Sequence, residues 1–267
     1  MLRKDIESDE DGVVSSENIK LIERQTRNKY VDILFPEIAL NKIIVWISFF
    51  QIIIYILSCL LSENLSTPNV HILMFLGATY GPLIKEGQYW RLVLPIFLHA
   101  NLWHLIINIL CILNLGLIIE SKYKKSKFLL IYFLSGITGN ILTTICNPCQ
   151  LAVGASTSGF GLIGCSILEI FLAWKNLTRK AKNYYILNIF LFLLFFMFVS
   201  FSPSVDLFGH IGGFLCGAFL CCHYNKFIGY NIFQKFLYYS FFFICSLIII
   251  YLPIRLYIIN MPCGLIY

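Results

Sequence analysis

The residues Gly154-Ala155-Ser156-Thr157-Ser158-Gly159-Phe160-Gly161 follow a short connection, Asn147 to Val153, and open an apolar run that continues to Trp174. A run of that length fits a helix crossing a bilayer. A serine between small residues at its mouth has two readings. The hydroxyl can cap the helix by satisfying N–H groups that a helix start leaves without partners. Alternatively, the small neighbours allow close backbone approach and leave the hydroxyl accessible for chemistry. A GxS string occurs by chance in many proteins, so the surrounding chain has to decide between them.

That chain is strongly apolar: 58% of its 267 residues are hydrophobic and 13% are charged. These proportions exclude an ordinary soluble domain and point to an all-α, polytopic membrane bundle. Backbone groups in lipid must be satisfied within the segment, which forces helices. Seven runs approach the ~20 residues needed to cross hydrocarbon. They lie at about 43–61, 99–119, 128–146, 156–174, 184–201, 205–222 and 236–254. The long connection 62–97 carries shorter apolar pieces, Val70–Leu76 and Leu92–Phe97, suited to lying at an interface. Residues 1–41 are polar and read as a disordered cytosolic tail, with a short helix near Ile19–Arg27. No apolar core follows Met1 closely enough for a signal peptide. The expected organisation is a tail over 1–41, a six-span core over 42–222, and a seventh helix with a short C-terminal tail over 223–267.

The net charge of +6 is explained by placement. Four lysines lie between the second and third runs (Lys122, Lys124, Lys125, Lys127), and four basic residues between the fourth and fifth (Lys175, Arg179, Lys180, Lys182). Lys226 and Lys235 lie between the sixth and seventh, and seven more basic residues stand in the tail up to Lys42. Lys85, Arg91 and Arg255 alone fall on the other side. Seven spans with a cytosolic N-terminus follow from the positive-inside rule. No nucleic-acid motif is present. Most of the ten cysteines lie inside apolar runs and read as small hydrophobes. Cys146 and Cys149 form a lone CxxC with no second pair for zinc, and no metal or cofactor is expected. A disulfide between these two is the alternative if their loop faces an oxidising lumen.

With this topology, polar residues gather near the outer end. Ser156 begins the fourth span, and His210 lies about five residues into the sixth. His99, His104 and Asn108 stand in the outer half of the second, with His104 and Asn108 on one stripe. Polar and ionisable groups inside membrane helices are functional-site candidates. A serine needs a base, histidine is the usual one near neutral pH, and acyl transfer needs donors for an oxyanion. His104, Asn108 and the Ser156 N–H can donate. Asp206 precedes His210 by one turn but stands at the aqueous edge, and Glu120 and Glu169 lie toward the cytosol, which favours a Ser–His dyad. Glycines at 209, 213 and 217, with Gly161 and Gly164 in the fourth span, would let the two helices pack backbone to backbone. Each piece has a plainer reading. His99 can bond a loop carbonyl, His104 and Asn108 can be interhelical glue, His210 can line an ion path, and Arg91 can anchor at the interface.

Taken together, the motifs resemble those of rhomboid intramembrane serine proteases. Trp90-Arg91 is similar to that family's WR pair. His99-Ala-Asn-Leu-Trp-His104-Leu-Ile-Ile-Asn108 is similar to its HxxxxHxxxN helix, with Gly116 and Glu120 following. Gly154-Ala155-Ser156 resembles the GxS nucleophile motif, and His210-Ile-Gly-Gly213-Phe-Leu-Cys-Gly217 the HxxGxxxG motif. The resemblance covers about 43–222. It implies Ser156 as nucleophile, His210 as base, and His104, Asn108 and the Ser156 N–H as the oxyanion hole. Trp90, Arg91, His99, Glu120, Gly154, Phe160, Gly213 and Gly217 would support them. It also implies single-pass membrane proteins as substrates, cut near the outer end of their spans, within a plasma or secretory-pathway membrane. The seventh span resembles the six-plus-one secretase type, and the composition resembles that of apicomplexan members, which shed surface adhesins. Two positions depart from the pattern. Thr157 stands where a small residue is usual and would narrow the oxyanion pocket, and Phe160 replaces a frequent tyrosine while keeping a face to stack on His210. The competing readings are an inactive rhomboid-like client-binding protein, and a seven-span transporter, which would spread its ionisable groups through the membrane depth.

Overall fold

The computed structural model describes residues 38–62, 66–174, 206–225 and 232–251, with isolated positions between 178 and 190 and between 253 and 263. The expected helix at Ile19–Arg27 lies outside the described residues, as does nearly all of the expected fifth span. Every regular element among the described residues is helical. The first span is α1, Ile43–Leu61. Two short helices follow, α2 (Val70–Phe75) and α3 (Gly81–Lys85), then single turns at Tyr89–Leu92 and Leu94–Phe97. These are the short apolar pieces expected at an interface. Phe75 is 80% exposed, and Tyr89, Trp90 and Leu94 also face outward, as lipid-contacting anchors would.

The second and third spans are two helical arms joined at a kink, labelled together α4 (Leu102–Cys146, 45 residues). At 1.5 Å per residue a straight helix of that length would measure about 68 Å, twice the hydrocarbon thickness. The chain instead reverses at Lys124, whose φ of 67° and ψ of 166° break the helical path. The connecting loop expected over 120–127 thus shrinks to one residue, and its lysines ride on helix ends. The helix also begins at Leu102, so His99 precedes it. Asn101 supplies the cap, its side chain accepting from the His104 N–H at 2.8 Å.

The remaining helices are α5 (Ser156–Ala173), α6 (Leu207–Tyr224) and α7 (Ile232–Ser246), the last continuing as a π-helical turn over Leu247–Tyr251. The core lies between both arms of α4, α5 and α6, around Phe128, Tyr132, Leu162, Cys165 and Cys221. A Cβ placed on Gly213 would strike the Thr157 carbonyl, one on Gly217 the Gly161 carbonyl, and one on Gly164 the Phe214 carbonyl. The two backbones therefore touch, as the glycine spacing predicts.

Outer segments are tied to this core by single polar side chains. Gln51, fully buried in α1, donates to the Ile96 carbonyl at 3.1 Å and to the Tyr132 hydroxyl at 3.0 Å. Glu120 accepts from the N–H groups of Ile43 and Ile44 at 2.8 and 3.0 Å, capping α1 from a distant helix. The α1 N-cap residue, Lys42, makes no side-chain cap of its own. Arg91 is buried and holds the 70–98 segment to itself, donating to Gln88 Oε1 and to the carbonyls of Met74 and Ala78 at 2.8–2.9 Å. Its neighbour Trp90 is exposed.

Candidate active site

Four separate pieces of chain bring the site together. The connection before α5 is laid against the 70–98 segment, where Thr79 and Ala152 exchange both backbone hydrogen bonds at 3.0 and 3.2 Å. The Gly81 N–H donates to the Pro148 carbonyl and the Gly154 N–H to the Pro95 carbonyl, each at 2.9 Å. Gly154 has φ +131°, a backbone region closed to ordinary side chains, and the His104 ring lies 2.8–2.9 Å from where a Cβ would stand. Glycine is thus required twice at this position, by conformation and by the imidazole.

Ser156 then begins α5, after Ala155 as the cap residue. Its hydroxyl is not used as a helix cap: Oγ lies 2.9 Å from His210 Nε2 on α6. The Ser156 N–H falls in the first turn of α5, where intrahelical acceptors are lacking. Phe160, one turn further on, stacks on the His210 ring with centroids 4.1 Å apart and planes 15° from parallel. This is the contact expected from a residue without a tyrosine hydroxyl. It fixes the ring so that Nε2 points at Oγ.

The start of α6, one turn before His210, is held by Asp206. Asp206, expected at the aqueous edge, is buried. It caps α6 by accepting from the Gly209 N–H at 2.9 Å, and it accepts from the Thr143 hydroxyl at 2.6–2.7 Å. Its carboxylate is thus committed to the helix start and to the second arm of α4. Thr143 was not singled out by sequence, because a threonine inside an apolar run carries no signal of its own.

His104 and Asn108 stand on one stripe of the first arm of α4, as their spacing predicts. The His104 ring faces Gly154, beside Ser156. Asn108 is buried and donates one amide hydrogen to the His104 carbonyl at 2.8 Å, which orients the amide and leaves its second hydrogen to be directed elsewhere. His99 is fully buried just before α4, with its ring 5.3 Å from that of His104 and edge-on to it. It therefore positions His104 rather than reaching Ser156. Thr157 turns away from the pocket: a Cβ placed on Gly139 would lie 2.9 Å from the Thr157 Cβ, so the branched side chain is spent on α4–α5 packing.

Cys149 pairs with Cys263 and not with Cys146, which stays a free thiol. Cys146 ends α4, and the Asn147–Gln150 turn, closed by a 3.0 Å backbone hydrogen bond, carries Cys149 away from it. A partner 114 residues distant leaves no trace in local spacing.

Chemically, the arrangement offers a hydroxyl bonded to an imidazole, with the His104 ring and a helix-start N–H nearby. This is the constellation of nucleophilic acyl transfer. Residues 86–227 match the family model described as "Rhomboid domain". The chain is 46% identical over 202 residues to Rhomboid-like protease 3 of Toxoplasma gondii, covering 76% of each protein. It is 41% identical over 201 residues to Rhomboid-like protease 1 of the same organism, covering 74% of this chain and 69% of that one. Inactive rhomboid protein 1 of Papio anubis is 33% identical over 148 residues, which is 55% of this chain and 17% of that protein.

Proposed function

The chain belongs to the rhomboid family and is an integral, multi-pass membrane protein, and we propose that it is an active intramembrane serine endopeptidase working through a Ser156–His210 dyad. The observation that carries this reading is the 2.9 Å contact between His210 Nε2 and Ser156 Oγ. In the tautomer with its proton on Nδ1, His210 accepts the Ser156 proton as Oγ attacks a substrate carbonyl. The tetrahedral oxygen then takes hydrogen bonds from His104, Asn108 and the Ser156 N–H. His210 returns the proton to the leaving amine, and water repeats the sequence to release the acyl group.

Substrates on this reading are single-pass membrane proteins, surface adhesins among them. A helical peptide bond hides its carbonyl until the helix unwinds locally, and unwinding in lipid is costly unless the freed groups are satisfied. Cleavage is therefore placed near the outer end of the substrate span, where Gly, Ser, Pro or Ala weaken the helix. The lysine and arginine placement supports a cytosolic N-terminus in a plasma or secretory-pathway membrane. Ser156 and Cys149 would then face the opposite side, together with the C-terminal tail that the disulfide joins to Cys149.

The runner-up, a client-binding protein without activity, is represented among the relatives by Inactive rhomboid protein 1. A fluorescent serine-directed phosphonate separates the two. It should label the purified chain and fail on Ser156→Ala. Absence of labelling on the unmodified chain, under conditions where an active serine protease reacts, favours the client-binding reading.

A further inference from the structure

At the opposite end of the bundle a second polar cluster crosses the same α5–α6 interface. Cys165 and Glu169 are four residues apart on α5 and so share a face, and Cys221 reaches them from the last turn of α6. Their ligand atoms all lie within 4.8 Å of one another, and all three residues are buried, Glu169 being 4% exposed. Beside them, at the reversal of α4, the Tyr123 hydroxyl stands 3.5 Å from Cys221 Sγ. Asn225 donates to that hydroxyl at 2.6 Å and lies 3.3 Å from the same sulfur. Lys122 reaches one oxygen of Glu169 at 3.0 Å from a half-exposed position.

We propose that Cys165, Glu169 and Cys221 form a zinc site, completed by the Tyr123 hydroxyl and serving to clamp the inner ends of α4, α5 and α6. Lys122 meets one oxygen of the buried Glu169 carboxylate, and the two thiols beside it offer a further pair of donors that a divalent ion can use. Two thiolates and one carboxylate carry three negative charges, which one divalent ion and the Lys122 ammonium balance, and the tyrosine stays neutral. Two sulfurs select zinc over magnesium or calcium. At metal–ligand distances near 2.3 Å for sulfur and about 2.0 Å for oxygen, tetrahedral donors stand roughly 3.5–3.8 Å apart, so the cluster needs to contract by up to about 1.3 Å. Lys122 on the carboxylate and Asn225 on the tyrosine act as outer hydrogen-bond partners that orient the donors. Binding expels two thiol protons to solvent and moves no electrons. Cys222 and His223 follow Cys221 directly, but the partners that the fold brings to Cys221, Cys165 and Glu169, stand on another helix and leave no local motif.

The test measures metal in the full chain purified in detergent without chelator and dialysed against micromolar zinc chloride. The site predicts about one zinc per chain, lost in Cys165→Ser and Cys221→Ser and reduced in Glu169→Gln. Cobalt(II) exchanged into the unmodified chain should give a thiolate-to-cobalt charge-transfer band, a readout that needs no variant to fold. Ser156→Ala should bind as much zinc as the unmodified chain, which separates this site from the proposed active site. Less than about a tenth of an ion per chain, equal zinc in a Cys165→Ser/Cys221→Ser double variant, or a cobalt spectrum without the sulfur band would each overturn the proposal.

Discussion

Along α5 and α6 the backbones meet through Gly161, Gly164, Gly213 and Gly217, with no side chain between them. Around that seam, α1 and the 70–98 segment are attached differently, through Gln51, Asn140 and Glu120 reaching across to backbone groups. The seam sets the Ser156–His210 distance directly, since both residues sit at its outer end. The frame acts at one remove: it seats the Gly154 connection and, through Pro95 and Thr79, keeps Ser156 at the helix start. Damage to the seam should therefore abolish geometry and stability together. Damage to the frame should lower stability while the folded fraction keeps its turnover.

The largest effect belongs to the seam. Gly217→Ala places a methyl group on the Gly161 carbonyl. It should destabilise by about 3 kcal/mol, the upper end of the overpacking range, and remove cleavage. A thermal melt with a parallel cleavage assay checks this, and a stable, active variant would break the distinction between seam and frame. An intermediate effect is expected inside the site. Asn108→Ala should lower turnover by roughly 10²-fold or less, because His104 and the Ser156 N–H remain as donors. Its KM should hardly change. A variant that misfolds, or whose loss lies in KM, would make Asn108 a packing residue instead. The smallest effect on chemistry belongs to the frame. Glu120→Gln sets an amide hydrogen against one of the two α1 N–H groups and should cost about 1–3 kcal/mol of stability, with kcat of the folded enzyme unchanged. A fall in kcat at full occupancy of the folded state would show that the frame reaches the site.

The same division explains what could be read from residues alone. The seam repeats: glycines every four positions, and polar residues one and two turns apart, state their helix face without any partner being known. Ser156, His210, His104 and Asn108 could be gathered near one end for that reason, and the stacking of Phe160 on His210 was expected from the family resemblance. The frame does not repeat. Glu120 was visible as a carboxylate toward the cytosolic side, but nothing in its neighbourhood says that it caps α1, 76 and 77 residues upstream. Gln51 and Thr143 are single polar residues in apolar runs and were not singled out. Asp206 was noticed, but as an aqueous-edge residue, because its partner Thr143 lies on another helix. The boundary errors have the same origin. The α4 reversal at Lys124 looks like a lysine-rich loop when hydropathy alone is followed, and the α4 start is set by the Asn101 cap, two residues after the polar His99. The Cys149–Cys263 pairing is likewise long-range.

The central claim, that Ser156 and His210 act as one catalytic unit, is tested most directly by cleavage of a single-pass membrane substrate in liposomes by the unmodified chain, Ser156→Ala, His210→Ala and the double variant. Members of a catalytic unit are not additive. Each single variant should fall to the assay floor, and the double variant should be no worse than either. Substantial cleavage by Ser156→Ala or His210→Ala, or a double variant whose loss is the product of two partial losses, would contradict the account.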